Sequence, residues 1–351
     1  MPDSADTPIS PNASSIPTTP IIIGHRGASG YRPEHTCASY ELAFALGADA
    51  VEPDIVASRD GVLVLRHENN LSDTTDIAQR AEFADRRTEK EINGRRHEGW
   101  FTEDFTWAEL STLRARERLP HIRPGAAFDN QYPILRLRDL FEIVDRASEE
   151  QMRMLGLVAE IKHATYFENI GLPLHELFAA EAAEAGWVAG DRNLVIESFE
   201  LTVLEKLSSI SLPARYIYLL ARDGTAPDAV LHDGANATSY AQQLTDAGLA
   251  ELRGHVDGIS VDVSLVLPTD ERGRMLPTTD IVRRAHATGL MLYCWTLRPE
   301  NIFLPTDLRR GDQDEEFGDW ESAFAAVLAT GIDGVFADHP DLVARVREHN
   351  E

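Results

Sequence analysis

The first β/α unit of the chain is contained in residues 21–68, IIIGHRGASGYRPEHTCASYELAFALGADAVEPDIVASRDGVLVLRHE. The apolar run Ile21–Ile23 predicts a buried strand, and Cys37–Leu46 has the pattern of a helix that ends before a left-handed glycine, Gly47. A second apolar run, Ala50–Ile55, predicts the next strand. The order strand, helix, strand favours a parallel sheet with a crossover helix.

A third apolar run, Val62–Leu65, begins about seven residues after the second run ends. A parallel neighbour would need a crossover of about a dozen residues or more. The two runs therefore predict an antiparallel hairpin, which turns at the dipeptide Asp60-Gly61.

The alternation of strand-like and helix-like segments continues to the end of the chain. Further strands are predicted at Leu157–Ile161, Leu194–Ile196, Ala214–Leu220, Val256–Val261, Leu290–Trp295 and Gly334–Phe336. Helices are predicted between them, among others at Leu174–Ala185, Phe199–Leu207, Thr279–Thr288 and Trp320–Ala329, with glycines at 289 and 331 as C-caps. Without the hairpin arm there are eight β/α units, which predicts an α/β fold, a (β/α)8 TIM barrel with a β-hairpin extension.

Two parts of the chain stand outside this alternation. Residues 1–20 are rich in Pro, Ser and Thr and contain no Lys or Arg, which predicts a disordered N-terminal tail. Leu71–Pro133 has many charges and several aromatics but no β/α pattern, so we expect a small inserted cap subdomain over one barrel face. Residues 21–351 would then form one barrel domain that carries this insertion.

Composition excludes several classes of protein. The chain of 351 residues has 33 Lys and Arg against 58 Asp and Glu, a net charge of −25. Such a surface disfavours nucleic acid and stable membrane association. Two cysteines, Cys37 and Cys294, exclude a disulfide-built or cysteine-zinc protein. No signal peptide is visible, so we expect a cytoplasmic protein, or a periplasmic or secreted one if the N-terminus was trimmed. A homodimer would be ordinary for such a chain.

The active site of a barrel of this kind lies at the C-terminal ends of its strands. These ends carry an unusual concentration of titratable residues: His25 and Arg26, Glu52 and Asp54, His67, Glu160 and Lys162, and later Glu197, Asp262, Trp295 and Asp338. Two of the chain's 12 histidines thus lie beside three carboxylates and two cations. This concentration is the main evidence for an active site.

The carboxylates predict a metal site. Glu52 and Asp54 are two residues apart on a strand and project to the same side, and Glu160 follows on the neighbouring strand. Three such groups repel one another unless a cation lies among them, and oxygen ligands suit Ca²⁺ or Mg²⁺ better than zinc. The alternative is an internal salt-bridge network with Arg26 and Lys162 that needs no metal.

The histidines and cations suit a phosphodiester substrate. His25 and His67 at two strand ends are suited to acid–base catalysis, because the imidazole pKa lies near neutral pH. Arg26 and Lys162 supply positive charge for phosphate oxygens. Neither a nucleotide-binding glycine loop nor a nucleophilic serine elbow is visible in the sequence.

A compound motif runs through these same residues. It comprises His-Arg-Gly at 25–27, Pro-Glu-x-Thr at 33–36, Glu-x-Asp at 52–54, Asp-Gly at 60–61, His at 67, Glu-Ile-Lys at 160–162, Ser-Phe at 198–199, Trp-Thr at 295–296 and Ala-Asp-His-Pro at 337–340. The motif resembles that of the glycerophosphodiester phosphodiesterase family. The resemblance extends from about Ile21 to Leu342, and the insertion is similar to that of the long form, typified by bacterial periplasmic enzymes.

The resemblance implies a role for each residue at the barrel mouth. It implies acid–base catalysis by His25 and His67, phosphate binding by Arg26 and Lys162, a glycerol-side wall at Trp295, and one divalent cation, Ca²⁺ or Mg²⁺, held by Glu52, Asp54 and Glu160. The implied reaction converts glycerophosphodiesters, such as glycerophosphocholine and glycerophosphoethanolamine, to sn-glycerol 3-phosphate and an alcohol. Two positions depart from the family: Glu68 stands where many relatives carry Asp, and Glu197 where Gln is frequent.

Two alternatives keep the same site. One is a lysophospholipase D-like or sphingomyelinase D-like phosphodiesterase, which should present an apolar or basic membrane-facing surface near the site. The net charge of −25 and the absence of an exposed apolar helix in the sequence pattern argue against it. The other is a non-catalytic barrel that binds phosphodiesters, which predicts the loss of a histidine or a metal carboxylate. For Trp295, plain barrel packing is the alternative to a role in binding.

Overall fold

Eight parallel strands close into a barrel in the computed structural model, which describes residues 19–190 and 192–350. The predicted tail, residues 1–20, lies outside the described residues except for its last two. In chain order the strands are β1 (Ile21–His25), β2 (Ala50–Glu52), β3 (Asp54–Ala57), β4 (Leu63–Leu65), β5 (Thr88–Ile92), β6 (Arg95–Gly99), β7 (Gly156–Ile161), β8 (Asn193–Ser198), β9 (Arg215–Leu220), β10 (Gly258–Asp262), β11 (Met291–Leu297) and β12 (Gly334–Ala337).

The barrel strands follow the order β2, β1, β12, β11, β10, β9, β8, β7. The ring closes where β2 pairs in parallel with β7, with Ala50 opposite Gly156 and Val51 opposite Leu157. Every pair around the ring is parallel, because each connection passes through helical segments on the outside. The predicted TIM barrel is confirmed.

The second barrel strand continues into the predicted hairpin. It is interrupted at Pro53, which has no N–H to donate, and resumes as β3. β3 pairs in parallel with β7 on one side and antiparallel with β4 on the other. The turn lies where predicted, at Asp60-Gly61, and Gly61 has a φ of +79°, a conformation that glycine adopts without strain.

The helices are α1 (Cys37–Ala45), α2 (Trp107–Leu110), α3 (Leu137–Gln151), α4 (Ala164–Asn169), α5 (Leu174–Glu184), α6 (Leu201–Ser209), α7 (Pro227–Asp233), α8 (Tyr240–Gln243), α9 (Asp246–Leu252), α10 (Ile281–Thr288), α11 (Trp320–Leu328) and α12 (Pro340–Asn350). The five predicted helices are confirmed, with ends within two residues of those expected. Three of them are followed by the predicted left-handed glycines, Gly47, Gly289 and Gly331. No helix in the described part of the chain is long and apolar enough to cross a membrane.

Side chains of the strands pack in two separate layers. Ile22 packs outward in the large cluster under the helices, whereas its neighbour Ile23 packs inside the barrel, as strand alternation requires. The interior cluster consists of Ile23, Ala50, Val158, Val195, Ile217, Tyr293 and Phe336. This apolar filling closes the barrel, so polar side chains at the strand ends have access to solvent only at the mouth.

The insertion, residues 71–133, lies between β4 and α3. It contains the antiparallel hairpin of β5 and β6, the short helix α2 and several 3₁₀ turns. Phe83, Trp100 and Phe105 are buried in the same apolar cluster as the inner faces of the barrel helices. The aromatic residues of the insertion are therefore continuous with the main core and fasten the insertion to the barrel.

The helix layer generates a prediction about stability. Phe141 on α3 is 1% exposed, and its ring centroid lies 4.8 Å from that of Trp187. We expect Phe141→Ala to lower the free energy of unfolding by about 3–5 kcal/mol, because a buried ring is lost and a cavity remains. The measurement is the urea concentration at the midpoint of unfolding.

Arg146→Ala on the same helix is the control, since Arg146 pairs with Glu41 and both side chains are 50% exposed. An exposed pair of this kind contributes about 1 kcal/mol or less. Equal destabilisation by the two substitutions would contradict the assignment of Phe141 to the core.

Candidate active site

A cavity of about 400 Å³ opens at the C-terminal ends of the barrel strands. Of the eight predicted site residues, six line it: His25, Arg26, Glu52, His67, Glu160 and Trp295. The other two, Asp54 and Lys162, are buried directly behind these residues. A larger cavity, of about 640 Å³, lies at the opposite end of β8–β11 and is lined by none of the eight.

His25, the last residue of β1, is held by the carboxylate of Asp338. The Nδ1 atom lies 2.6 Å from Asp338 Oδ1, and Asp338 follows β12, the neighbouring strand. Burial opposes ionisation of Asp338, but Arg298 and Arg123 outweigh it and hold the pKa of this carboxyl well below its usual range. An ionised carboxylate only accepts, so His25 Nδ1 carries the proton and donates it.

The other nitrogen of His25 is then available for proton transfer. Burial and the charge of Arg26 lower the pKa of His25 to about 4, so the ring is neutral near pH 7. With the proton on Nδ1, Nε2 carries a free lone pair. A neutral imidazole oriented by a carboxylate is the arrangement of a general base.

His67 repeats this arrangement on the other side of the cavity. Its Nδ1 is hydrogen-bonded to Oε1 of the next residue, Glu68. Burial opposes ionisation of Glu68, but His67 and Arg118 hold the pKa of its carboxyl below the usual range. Burial, Arg26 and Lys162 lower the pKa of His67 to about 3, so this ring is also neutral with Nε2 unprotonated.

Three carboxylates form a tight group beside the histidines. Oxygen atoms of Glu52, Glu160 and Glu197 all lie within 4.8 Å of one another. Burial and the negative charges nearby raise the pKa of Glu52 and of Glu197 well above the usual range, and raise that of Glu160 to about 8. Glu197 Oε2 is buried and has no hydrogen-bond partner among the described residues. A hard divalent cation fits this set of oxygen donors.

The third member of this group differs from the predicted one. Sequence analysis placed Asp54 with Glu52 and Glu160, whereas the structure brings Glu197 into the group. The sequence pattern places Glu197 at a strand end. In the structure its register on β8 places it opposite Glu160 of β7. Asp54 instead lies behind the group, 1% exposed, and its Oδ1 atom makes no hydrogen bond.

Asp54 is the centre of a network of two cations and one histidine. Its Oδ2 atom lies 3.0 Å from His35 Nε2 and 3.1 Å from Arg26 Nε, and its Oδ1 atom lies 3.4 Å from Lys162 Nζ. Lys162 Nζ also donates to Glu160 Oε1 at 2.8 Å. The salt bridges of the metal-free alternative are therefore present around Asp54, but Glu197 has no cationic partner in the described salt bridges.

Arg26 is fixed at several points of contact. It adopts a left-handed conformation with φ of +60°, which lets its backbone N–H donate to Glu52 Oε2 at 2.8 Å. Its guanidinium donates to Glu34 Oε2 at 3.0 Å. Because the side chain lines the cavity while its carboxylate partners lie behind it, Arg26 is oriented toward whatever anion enters.

Trp295 has an unused donor. Its indole Nε1 is buried without a hydrogen-bond partner among the described residues, and its ring packs edge-to-face on Phe199 at 5.7 Å. A buried indole N–H normally has a partner, and Trp295 lines the cavity.

Comparisons with known proteins identify the family. The model of the glycerophosphoryl diester phosphodiesterase family matches residues 25–342. The chain belongs to this family. It is 32% identical over 331 residues to the glycerophosphodiester phosphodiesterase GDPD6 of Arabidopsis thaliana, covering 91% of this chain and 83% of that relative. The chain is therefore a hydrolase, a glycerophosphodiester phosphodiesterase, as predicted.

Solved structures confirm the fold of this phosphodiesterase. A crystal structure from Silicibacter pomeroyi DSS-3 matches 95% of each chain, with a TM-score of 0.67 and 19% identity. An Oleispira antarctica phosphodiesterase, solved in complex with the product sn-glycerol-3-phosphate, matches 94% of this chain and 97% of its own, with a TM-score of 0.60 and 20% identity.

The carboxylate group generates a prediction about Glu197. We expect Glu197→Gln to raise the free energy of unfolding of the metal-free protein by about 1–3 kcal/mol, because burial opposes ionisation of this carboxyl and a neutral amide avoids that cost. We also expect added Ca²⁺ or Mg²⁺ to stabilise this variant less than the unmodified protein. The measurement is the melting temperature with chelator and with metal.

Glu205→Gln on α6 is the matched control, because Glu205 pairs with exposed His255 away from the cavity. It should leave the stabilisation by metal unchanged. An undiminished metal effect in Glu197→Gln would remove Glu197 from the cation site.

Proposed function

We propose that this phosphodiesterase hydrolyses glycerophosphodiesters with small polar alcohols, such as glycerophosphocholine and glycerophosphoethanolamine, to sn-glycerol 3-phosphate and the alcohol. The observation that carries the proposal is the pair of neutral histidines, each with Nδ1 on a carboxylate, in one cavity with Arg26 and the carboxylate group. The product complex of the Oleispira antarctica relative supports it.

In this proposal His25 and His67 share the proton transfers. One histidine accepts a proton from the glycerol 2-hydroxyl as it attacks phosphorus, and the other donates a proton to the oxygen of the alcohol as its bond to phosphorus breaks. Water then opens the cyclic phosphate, with the two histidines in exchanged roles, to give sn-glycerol 3-phosphate. The negative charge of a bound phosphodiester raises the pKa of a neighbouring imidazole, so one of the two rings binds the proton that it later donates. Asp338 and Glu68 stabilise the imidazolium formed in each step.

Arg26 and Lys162 stabilise the phosphate charge. Both side chains are held by carboxylates at their inner side, which fixes their position before substrate arrives. Fixed cations stabilise charge that develops on phosphate oxygens without a reorganisation cost during the reaction. Trp295 lies on the glycerol side, where its free N–H donates to a hydroxyl.

Glu52, Asp54 and Glu160 hold one divalent cation in this proposal, with Glu197 as a further oxygen donor. Glu197 Oε2, which has no hydrogen-bond partner among the described residues, and the raised pKa values of the three glutamates support this donor set. When bound there, Ca²⁺ or Mg²⁺ would supply positive charge for the substrate's phosphate oxygens.

Residues 71–133 are the cap subdomain of this proposal. Arg118 and Arg123, both from this segment, contact residues that surround the cavity at the barrel mouth. The domain of residues 21–351 is therefore best considered as one barrel whose site is completed by its insertion.

A second candidate substrate is favoured by a neighbouring cavity. An additional space of about 290 Å³ adjoins the first and shares Val263, Ser264, Thr296, Arg298 and Phe303 with it. Its deeper walls are apolar, formed by Leu267, Leu304, Phe324 and Val327 among others, and its lining includes no carboxylate. This space favours a substrate whose glycerol carries an apolar acyl chain, the lysophospholipase D-like alternative.

The first test is release of glycerol 3-phosphate from glycerophosphocholine, measured with a coupled dehydrogenase. We expect activity that a chelator abolishes and that Ca²⁺ or Mg²⁺ restores, because the carboxylate group needs a cation. Unchanged activity after exhaustive chelation would contradict the metal role. Preferred turnover of micellar lysophosphatidylcholine in a parallel choline-release assay would favour the second candidate.

The second test concerns the histidines. We expect His25→Ala and His67→Ala each to lower turnover about 100-fold or more, because each removes a group that transfers a proton. His232→Ala, an exposed position on α7, should retain full turnover. A histidine variant that keeps the unmodified rate would exclude that residue from the mechanism.

A further inference from the structure

We propose that Arg118 and Arg123 of the insertion are positioning residues for the two catalytic histidines. Each arginine binds the carboxylate that in turn binds the Nδ1 of one histidine. The inference rests on the proposed roles of His25 and His67 and gives the insertion a direct part in catalysis.

Arg118 bridges two carboxylates on the His67 side. Its guanidinium donates to Glu34 from Nε and NH2, both at 2.7 Å, and to Glu68 from NH2 at 2.8 Å and from NH1 at 3.2 Å. Glu68 Oε1 is also the acceptor for His67 Nδ1. Because the planar guanidinium binds both oxygens of Glu68, it fixes the orientation of the carboxylate, which in turn orients the ring of His67.

Arg118 is connected to Arg26, the proposed phosphate-binding residue, by Glu34. Glu34 accepts hydrogen bonds from both Arg118 and Arg26, and it is 5% exposed. Burial opposes ionisation of Glu34, but the two guanidinium groups hold the pKa of its carboxyl well below the usual range. Arg118 thus fixes both Glu68, the partner of His67, and Glu34, the partner of Arg26.

Arg123 performs the same task on the His25 side. Its NH2 donates to Asp338 Oδ2 at 2.5 Å, its Nε to Glu300 Oε1 at 2.9 Å, and its NH1 to the carbonyl of Ser29 at 3.2 Å. The other oxygen, Asp338 Oδ1, accepts from His25. The side chain of Arg123 is only 5% exposed, so all of these bonds lie away from water.

The two arginines lie on one tight turn of the insertion. The backbone N–H of Arg123 donates to the carbonyl of Leu119 at 2.9 Å, and the N–H of Leu119 donates to Glu117 Oε1 at 2.9 Å. Glu117 is tied to the rest of the insertion by a bond from its N–H to Asp129 Oδ1 at 2.7 Å. One turn, with Arg118 just before it and Arg123 at its end, therefore carries contacts to both histidine partners.

This arrangement controls which nitrogen of each histidine is protonated. A carboxylate with both oxygens engaged stays ionised and cannot rotate away, so the ring keeps its proton on Nδ1 and its lone pair on Nε2. Glu68 is partly exposed, so removal of Arg118 would leave its carboxylate solvated and mobile. Asp338 would retain Arg298, whose Nε lies 2.6 Å from Oδ2.

The test compares Arg118→Gln and Arg123→Gln in the full chain with saturating metal. We expect Arg118→Gln to lower kcat about 10- to 100-fold and also to raise KM, because Glu34 loses its hold on Arg26. We expect Arg123→Gln to lower kcat about 10-fold with an unchanged KM, since Arg298 still binds Asp338. Arg116→Gln is the matched control on the same segment, because the salt bridge of Arg116 among the described residues is with Asp129, within the insertion.

Double-mutant cycles separate positioning from a general structural effect. If Arg118 acts through Glu68, adding Arg118→Gln to Glu68→Gln should lower kcat by less than about threefold further. The same holds for Arg123→Gln added to Asp338→Asn. Losses that multiply in both cycles, an equal loss in Arg116→Gln, or an unchanged kcat in Arg118→Gln would overturn the inference.

Folding of the variants is checked by their melting temperatures. If Arg123→Gln does not fold, Arg123→Lys takes its place, because a lysine retains the charge without the fork that engages Asp338 and Glu300 together. An unmodified kcat in that variant would also count against the inference. Absence of turnover in the unmodified protein would instead overturn the proposed function, so the two failures are distinguishable.

Discussion

Three buried carboxylates at the barrel mouth impose the constraint on which the surrounding structure depends. Oxygen atoms of Glu52, Glu160 and Glu197 lie within 4.8 Å of one another, so burial and repulsion both oppose their ionisation. Such a group is stable in its ionised form only beside cations. Lys162 pairs with Glu160, and Arg26, which donates its backbone N–H to Glu52, lines the cavity.

The barrel brings these carboxylates together and also provides the buried surroundings in which they bind their partners. Parallel strands bring residues distant in sequence to one rim, so charge accumulates there, while an apolar interior beneath the rim excludes water. In that setting hydrogen bonds from charged groups are strong, and a charged group without a hydrogen-bond partner is costly. The same burial that raises the pKa of Glu160 lowers those of His25 and His67, so the histidines are neutral and able to accept protons near pH 7.

Local patterns were sufficient to predict the barrel strands and five of the helices, but not the hairpin of β5 and β6 or every member of the site. The eight strands, the hairpin at Asp60-Gly61 and the helix-ending glycines follow from periodicity and turn chemistry, which act over a few residues. Glu197 was visible at a strand end, yet its approach to Glu160 depends on the register between β7 and β8. Glu52 and Asp54 were predicted on one strand, but the strand is interrupted at Pro53 between them. Glu52 belongs to the carboxylate group, whereas Asp54 does not.

The sequence by itself determined the fold class, the family and the residue types that gather at the barrel mouth, because strand ends in a barrel converge whatever the loops do. Only the tertiary structure decided the pairings. His25 and Asp338 are 313 residues apart, and Arg118 is 50 residues from Glu68. No pattern in the chain marks such pairs, since an arginine among the insertion's many charges looks the same whether it faces solvent or a buried carboxylate. Its partner is chosen by packing, which brings one turn of the insertion over both histidines.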